Sequence, residues 1–205
     1  LPWFNENGYK IALPTHPKLE LWYQNSQNLP ENTREEFKEI FINQIYDEHA
    51  FDLSLAKLKK SQFAVNEGLK KLSVLAKNWD FDLKERYTIV LTLYGPRGNY
   101  DPSTATVNLL TNEKGDFRKK HVEEIILHEI VHIGIEESIV KRYQLTHWEK
   151  ERLVDLICYH YLNQILPEYR MHPKGDKQID DFTNEYTMIH DLPAAIASFI
   201  KQHPR

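Results

Sequence analysis

Val122-Glu123-Glu124-Ile125-Ile126-Leu127-His128-Glu129-Ile130-Val131-His132-Ile133-Gly134 is the stretch that decides how this chain is read. Val122, Ile125, Ile126, Glu129 and Val131 to Ile133 make a broad inward face at helical spacing, and Gly134 is a stop, so the pattern predicts a helix over 116–134. Inside it, His128-Glu129-Ile130-Val131-His132 has the form H-E-x-x-H, which acquires chemical meaning when it lies on a helix. Two histidines four residues apart share one face, one turn apart, where each can offer a ring nitrogen to a single tetrahedral Zn²⁺. Glu129 projects from the adjoining angle of the same helix. There it is placed to take a proton from water and to pass it to a leaving nitrogen.

A two-histidine site needs a further ligand. Cys158 is the only cysteine, so a thiolate cluster is excluded and the ligand must be a histidine or a carboxylate. The sequence predicts another helix over 147–166, ending at Pro167. One of its faces carries Glu151, Val154, Asp155, Cys158, Tyr161, Leu162 and Ile165, which sets two acids on an apolar stripe. Burying an unpaired carboxylate costs several kcal/mol, roughly, so acids in such positions need a cation, a hydrogen-bond partner or a metal. Glu151 is the expected third ligand. Asp155, one turn on, is expected to accept the distal N–H of His128 or His132. His147 is the rival third ligand, while Glu136 and Glu137 follow the metal helix too closely to fold back onto it. Cys158 reads as a core residue, and His121 as solvent-facing or in an outer position around the site.

H-E-x-x-H, an eighteen-residue spacer from Ile133 to Lys150, and Glu151-Arg152-Leu153-Val154-Asp155 as E-x-x-x-D together resemble the gluzincin branch of the zincin metallopeptidases. The spacing is similar to that of many zinc aminopeptidases, and the resemblance covers roughly residues 104 to 160. It implies a zincin-like α+β fold, mainly helical, with a small sheet whose edge strand borders the active-site helix. It further implies hydrolysis of a peptide or protein substrate, with Thr106, Val107 and Asn108 on the edge strand that holds the extended peptide. Such enzymes stabilise the developing oxyanion with a His, Tyr or Arg from the C-terminal portion, for which Tyr186 and His190 are the candidates. The alternative expectation is a zincin fold kept as a weakly catalytic binding or regulatory module. A secreted effector peptidase acting on one protein is a third.

The rest of the chain reads as scaffold. The 205 residues form one expected unit, divisible if at all into 1–134, with the sheet and metal helix, and 135–205. With 26 basic and 30 acidic residues, a net charge of −4 offers nucleic acid and anionic membranes no general attraction. No apolar run approaches the roughly 20 residues of a membrane span. The first residues show neither an initiator Met nor a signal-peptide pattern, so the chain is expected to have been trimmed. Cysteine poverty fits several compartments, with export favoured. Irregular structure with one or two strands is expected for 1–30, at Tyr9 to Leu13 and Leu19 to Tyr23, followed by helices at 33–48 and 54–78 with Gly68 a point of interruption. Strands are expected at Arg86–Tyr94 and Thr104–Leu110, separated by a shaped loop from Gly95 to Ser103. Short helices complete the expectation at 136–144, 178–189 and 193–202. The lysines of the second helix, Lys59, Lys60, Lys70 and Lys71, read as a solvated face.

Overall fold

Asp47 starts the longest element of the protein by accepting a hydrogen bond from the Ala50 amide, and the helix then runs unbroken from Glu48 to Asn78 (α3). The structure is a computed structural model that describes residues 11–25 and 31–204. Among the described residues two helices precede α3, Pro17–Gln24 (α1) and Thr33–Ile40 (α2), the second continuing as one wide π turn over Phe41–Ile45. The helix at α1 corrects the expectation of a strand at Leu19 to Tyr23. Pro17 takes the first turn, where its missing N–H costs nothing, and His16 caps the Lys18 amide. Of the first expected strand, Tyr9 and Lys10 lie outside the described residues, and Ala12 makes an isolated antiparallel bridge to Gly95.

Gly68 does not interrupt α3. It is the point where α3 meets the helix of the H-E-x-x-H motif, Val122–Ile135 (α4), because a Cβ there would sit 2.5 Å from Cδ2 of the fully buried Leu127. Lys57 on α3 donates to Gly115 O at 2.7 Å and pairs with Asp116, tying down the loop that leads into α4. The helix starts at Val122 rather than at 116. It is buried almost all round, between α3, the sheet and the helix His147–Leu156 (α5), and it continues as a π segment over Glu136–Lys141.

The strands Thr88–Thr92 (β1), Gly98–Asp101 (β2) and Thr106–Leu110 (β3) form a sheet in the order β1-β3-β2. β3 runs parallel to β1 and antiparallel to β2. Two expectations change here. The stretch Gly95 to Ser103 is not all loop, since Gly98 to Asp101 pairs with β3. And β3 is the central strand, with Val107 and Leu109 fully buried, so Thr106, Val107 and Asn108 cannot serve as an edge for a peptide. The edge beside α4 is β2.

Thr146 opens α5 with a capping box, its hydroxyl accepting from the Glu149 amide while Glu149 accepts from the Thr146 amide. The helix widens into a π turn over Ile157–Tyr161. A 3₁₀ turn at Lys177–Phe182 and the helices Glu185–His190 (α6) and Leu192–Gln202 (α7) close the chain. One buried cluster runs from Leu72 on α3 through α4 and α5 to Phe199 on α7, so residues on either side of position 134 share a core. No helix among the described residues is long and apolar enough to cross a membrane.

Candidate metal centre

α4 and α5 cross so that three side chains converge. His128 Nε2 and His132 Nε2 are 3.1 Å apart, and the two oxygens of Glu151 lie 3.6 Å from the first and 3.5 Å from the second. Metal–nitrogen and metal–oxygen bonds of about 2.0–2.1 Å in a tetrahedron separate neighbouring ligand atoms by about 3.3–3.4 Å. The spacing therefore suits one small ion, and these three residues form a group that can hold a metal. His147 stands beside them with Nδ1 3.8 Å from Glu151 Oε1, outside that group. Glu136 and Glu137 are engaged elsewhere, the first accepting from the Tyr100 hydroxyl and the second pairing with Lys141.

Each ligand is held differently. His128 Nδ1 lies 2.6 Å from the Tyr169 hydroxyl, which donates at 2.7 Å to Asp155 Oδ1. Because the hydroxyl proton goes to Asp155, the hydroxyl oxygen accepts from Nδ1–H, leaving the Nε2 lone pair of His128 for a metal. Asp155 thus acts on His128 through Tyr169, its own oxygen being 3.8 Å away, and its other oxygen accepts from the His172 amide. Among the described residues no hydrogen bond reaches His132 Nδ1; the ring stacks on Tyr100, with centroids 4.8 Å apart and planes 7° from parallel. Burial pushes the His132 imidazole down to about 3, and it outweighs the pull of Glu151 in the other direction. Glu151 moves opposite to the push of its own burial: contact with the two imidazoles holds it well below the usual carboxylate range.

No protein-family model matches the chain, and none of the curated proteins or solved structures compared with it does either. The reading of the centre therefore stands on its geometry.

Glu129 lies on α4 beside the ligands, 7% exposed. Burial raises its carboxyl to about 7, and the neighbouring Glu151 pushes the same way. Its position requires a glycine opposite, because a Cβ on Gly98 would meet Glu129 Oε1 at 2.5 Å and Ile125 at 2.6 Å. All four residues open onto a cleft of about 1400 Å³, walled by β2 on one side and by the loop 167–173 on the other.

Tyr186 and His190 do not reach this cleft. Their rings pack against each other at 4.5 Å on α6, and Tyr186 is 70% exposed. α6 is pinned instead to the far end of α3, where Asn78 donates to Ile189 O and the Trp79 indole to Met188 O. Side chains that do approach the ligands are Tyr100, Tyr169 and Lys150, none of which the sequence singles out. Lys150 donates to the Tyr100 hydroxyl at 3.0 Å, which joins β2 to α5 across the top of the site. Cys158 is fully buried behind His128, where burial pushes its thiol up, in keeping with a core residue.

Proposed function

We propose that this chain is a zinc-dependent peptidase with a zincin-like fold, in which His128, His132 and Glu151 hold the metal and Glu129 is the general base. The observation that carries the reading is the convergence of two imidazole nitrogens and the Glu151 carboxylate, with ligand atoms within 4.8 Å of one another, and the buried carboxylate of Glu129 beside the histidines on α4. Two imidazoles and one carboxylate are a donor set suited to catalytic zinc, which leaves a position open. Bound there, zinc supplies a Lewis acid that polarises a carbonyl and acidifies water.

The protein's own residues then account for the rest. Glu129 accepts a proton from the water whose oxygen attacks the scissile carbonyl carbon, and delivers it to the amide nitrogen as the C–N bond breaks. The products are a carboxylate and an amine. A carboxyl raised by burial to about 7 can accept and return a proton near neutral pH. Tyr169 and Asp155 keep His128 in the tautomer that donates through Nε2. β2 supplies the peptide-binding edge in place of β3. Arg97 O accepts from Leu110 N, so alternate residues 97, 99 and 101 face β3, while Gly98 and Tyr100 turn their main-chain groups to the open side. An extended substrate can add there as a further strand.

Elemental analysis of the purified protein tests the centre. The expectation is one zinc per chain, lost in Glu151→Ala and kept in His147→Ala. Glu129→Gln should keep its zinc and lose turnover of a cleaved library peptide by ~10²–10⁴-fold. A wild-type protein that takes up no zinc when it is added would dispose of the reading.

A further inference from the structure

The exposed charged side chains around the cleft are mostly basic, opposite to the net sign of the chain as a whole. The chain has 26 basic residues against 30 acidic ones. Among the exposed charged residues lining the cleft, Arg97, Arg118, Lys120 and Arg170 are basic and Glu168 alone is acidic. None of these four cations has an ion-pair partner among the described residues, whereas Lys119 between them is taken up by Glu124. The acids of the cleft floor are committed. Glu151 faces the imidazoles, Asp155 is bonded to Tyr169 and to the His172 amide, and Glu129 is largely buried. Exposed cations over a low-dielectric wall focus a positive field into the space between β2 and the loop 167–173, and raise the local concentration of anions there.

We infer that the cleft selects acidic peptides, with Arg97, Arg118, Lys120 and Arg170 facing carboxylate side chains that flank the bond lying over Glu129. The inference rests on the proposed peptidase reading and adds its substrate class. A peptide fits better than a polyanion of nucleic acid, because the cleft is bordered by a strand edge offering main-chain groups to which an extended chain can pair.

The test uses labelled peptides of one sequence carrying Glu, Gln or Lys at the positions around the scissile bond. Binding is measured by fluorescence anisotropy to zinc-loaded Glu129→Gln protein, and cleavage by zinc-loaded wild type. The Glu peptide should bind and be cleaved roughly tenfold or more better than the Gln peptide, with the Lys peptide poorest, and the preference should shrink as salt is raised. The double substitution Arg118→Glu with Lys120→Glu should abolish or reverse the order among the three peptides while zinc content stays unchanged. Cleavage of all three peptides at equal rates would overturn the inference and leave the peptidase reading standing. Preferential binding of the Glu peptide with no cleavage of any peptide would support the acidic cleft and remove the peptidase reading. Displacement of the Glu peptide by a single-stranded oligonucleotide at lower concentration than by unlabelled peptide would also overturn the inference, marking a nucleic-acid groove.

Discussion

Nδ1 of His128 ends in a two-step chain, first the Tyr169 hydroxyl and then Asp155. That hydroxyl cannot be replaced by a passing water, because Tyr169 is 6% exposed and Asp155 1%. Tyr169→Phe keeps the ring and its packing but removes the group that accepts from His128 and donates to Asp155. Zinc affinity should then fall by roughly 10–100-fold, the usual effect of losing an outer partner of a metal-binding histidine. A chelator competition titration checks this, and unchanged affinity would mean that ring packing alone orients His128. His132 depends on stacking against Tyr100, so Tyr100→Leu should weaken zinc binding through His132 while leaving the His128–Tyr169–Asp155 chain intact. The same titration reads that loss, and equal affinity in the variant would remove Tyr100 from the support of the centre.

At the scale of elements, α4 is positioned by two close approaches that only glycine permits. A Cβ on Gly68 would meet Leu127 at 2.5 Å, and one on Gly134 would meet the Phe81 ring at 2.0 Å. Helix propensity alone favours alanine over glycine by about 1 kcal/mol, so these substitutions separate propensity from packing by the sign of the effect. Overpacking a filled core costs ~1–3 kcal/mol. Both Gly68→Ala and Gly134→Ala should therefore lower the melting temperature, Gly134→Ala more, since a ring yields less than the end of a leucine. Calorimetry of the two variants decides it, and a rise in either would show that the facing side chain, Leu127 or Phe81, yields at little cost. The sheet adds a lesson about order. β1 and β3 read alike as β-branched, apolar runs, yet β3 is central because β2 pairs on its far side. β2 itself is Gly-Asn-Tyr-Asp, a composition typical of turns, which hides a strand whose glycine is required by Glu129.

Across the whole molecule, Arg152 couples α5, which carries Glu151 of the candidate metal centre, to the C-terminal region. Its Nε and Nη2 both bind the carboxylate of Asp180 in the 3₁₀ turn, and the arginine side chain is 8% exposed. Asp180→Ala would leave that guanidinium buried and unpaired. The cost should be about 3 kcal/mol, at the low end for a buried pair because Asp180 is partly open to water. That corresponds to a fall of roughly 6–12 °C in melting temperature for a chain of this size. Thermal unfolding measures it, and a shift within about 1 °C would mean that water replaces Asp180 at no cost. The loss should be global, because α5, α7 and the 3₁₀ turn share the cluster that contains α4.

What the sequence by itself determined is local and periodic. H-E-x-x-H on an apolar run placed His128, Glu129 and His132 on one helix, and two acids on the inward stripe of the next marked Glu151 and Asp155, because side-chain direction along a helix follows from spacing alone. The start of α5 was legible at 147, beside the cap Thr146, but Asp47 caps α3 at Glu48 ahead of the expected start at 54, and the start of α4 was missed where His121 makes no side-chain cap. Only the tertiary structure decided which strand borders the site, that Glu151 rather than His147 joins the two histidines, and that Tyr169 stands between His128 and Asp155. It also moved Tyr186 and His190 away from the cleft. Each of these depends on which segments meet across long stretches of chain, 41 residues for His128 and Tyr169. Such meetings are set by the packing of whole elements, and no periodicity within one element encodes them.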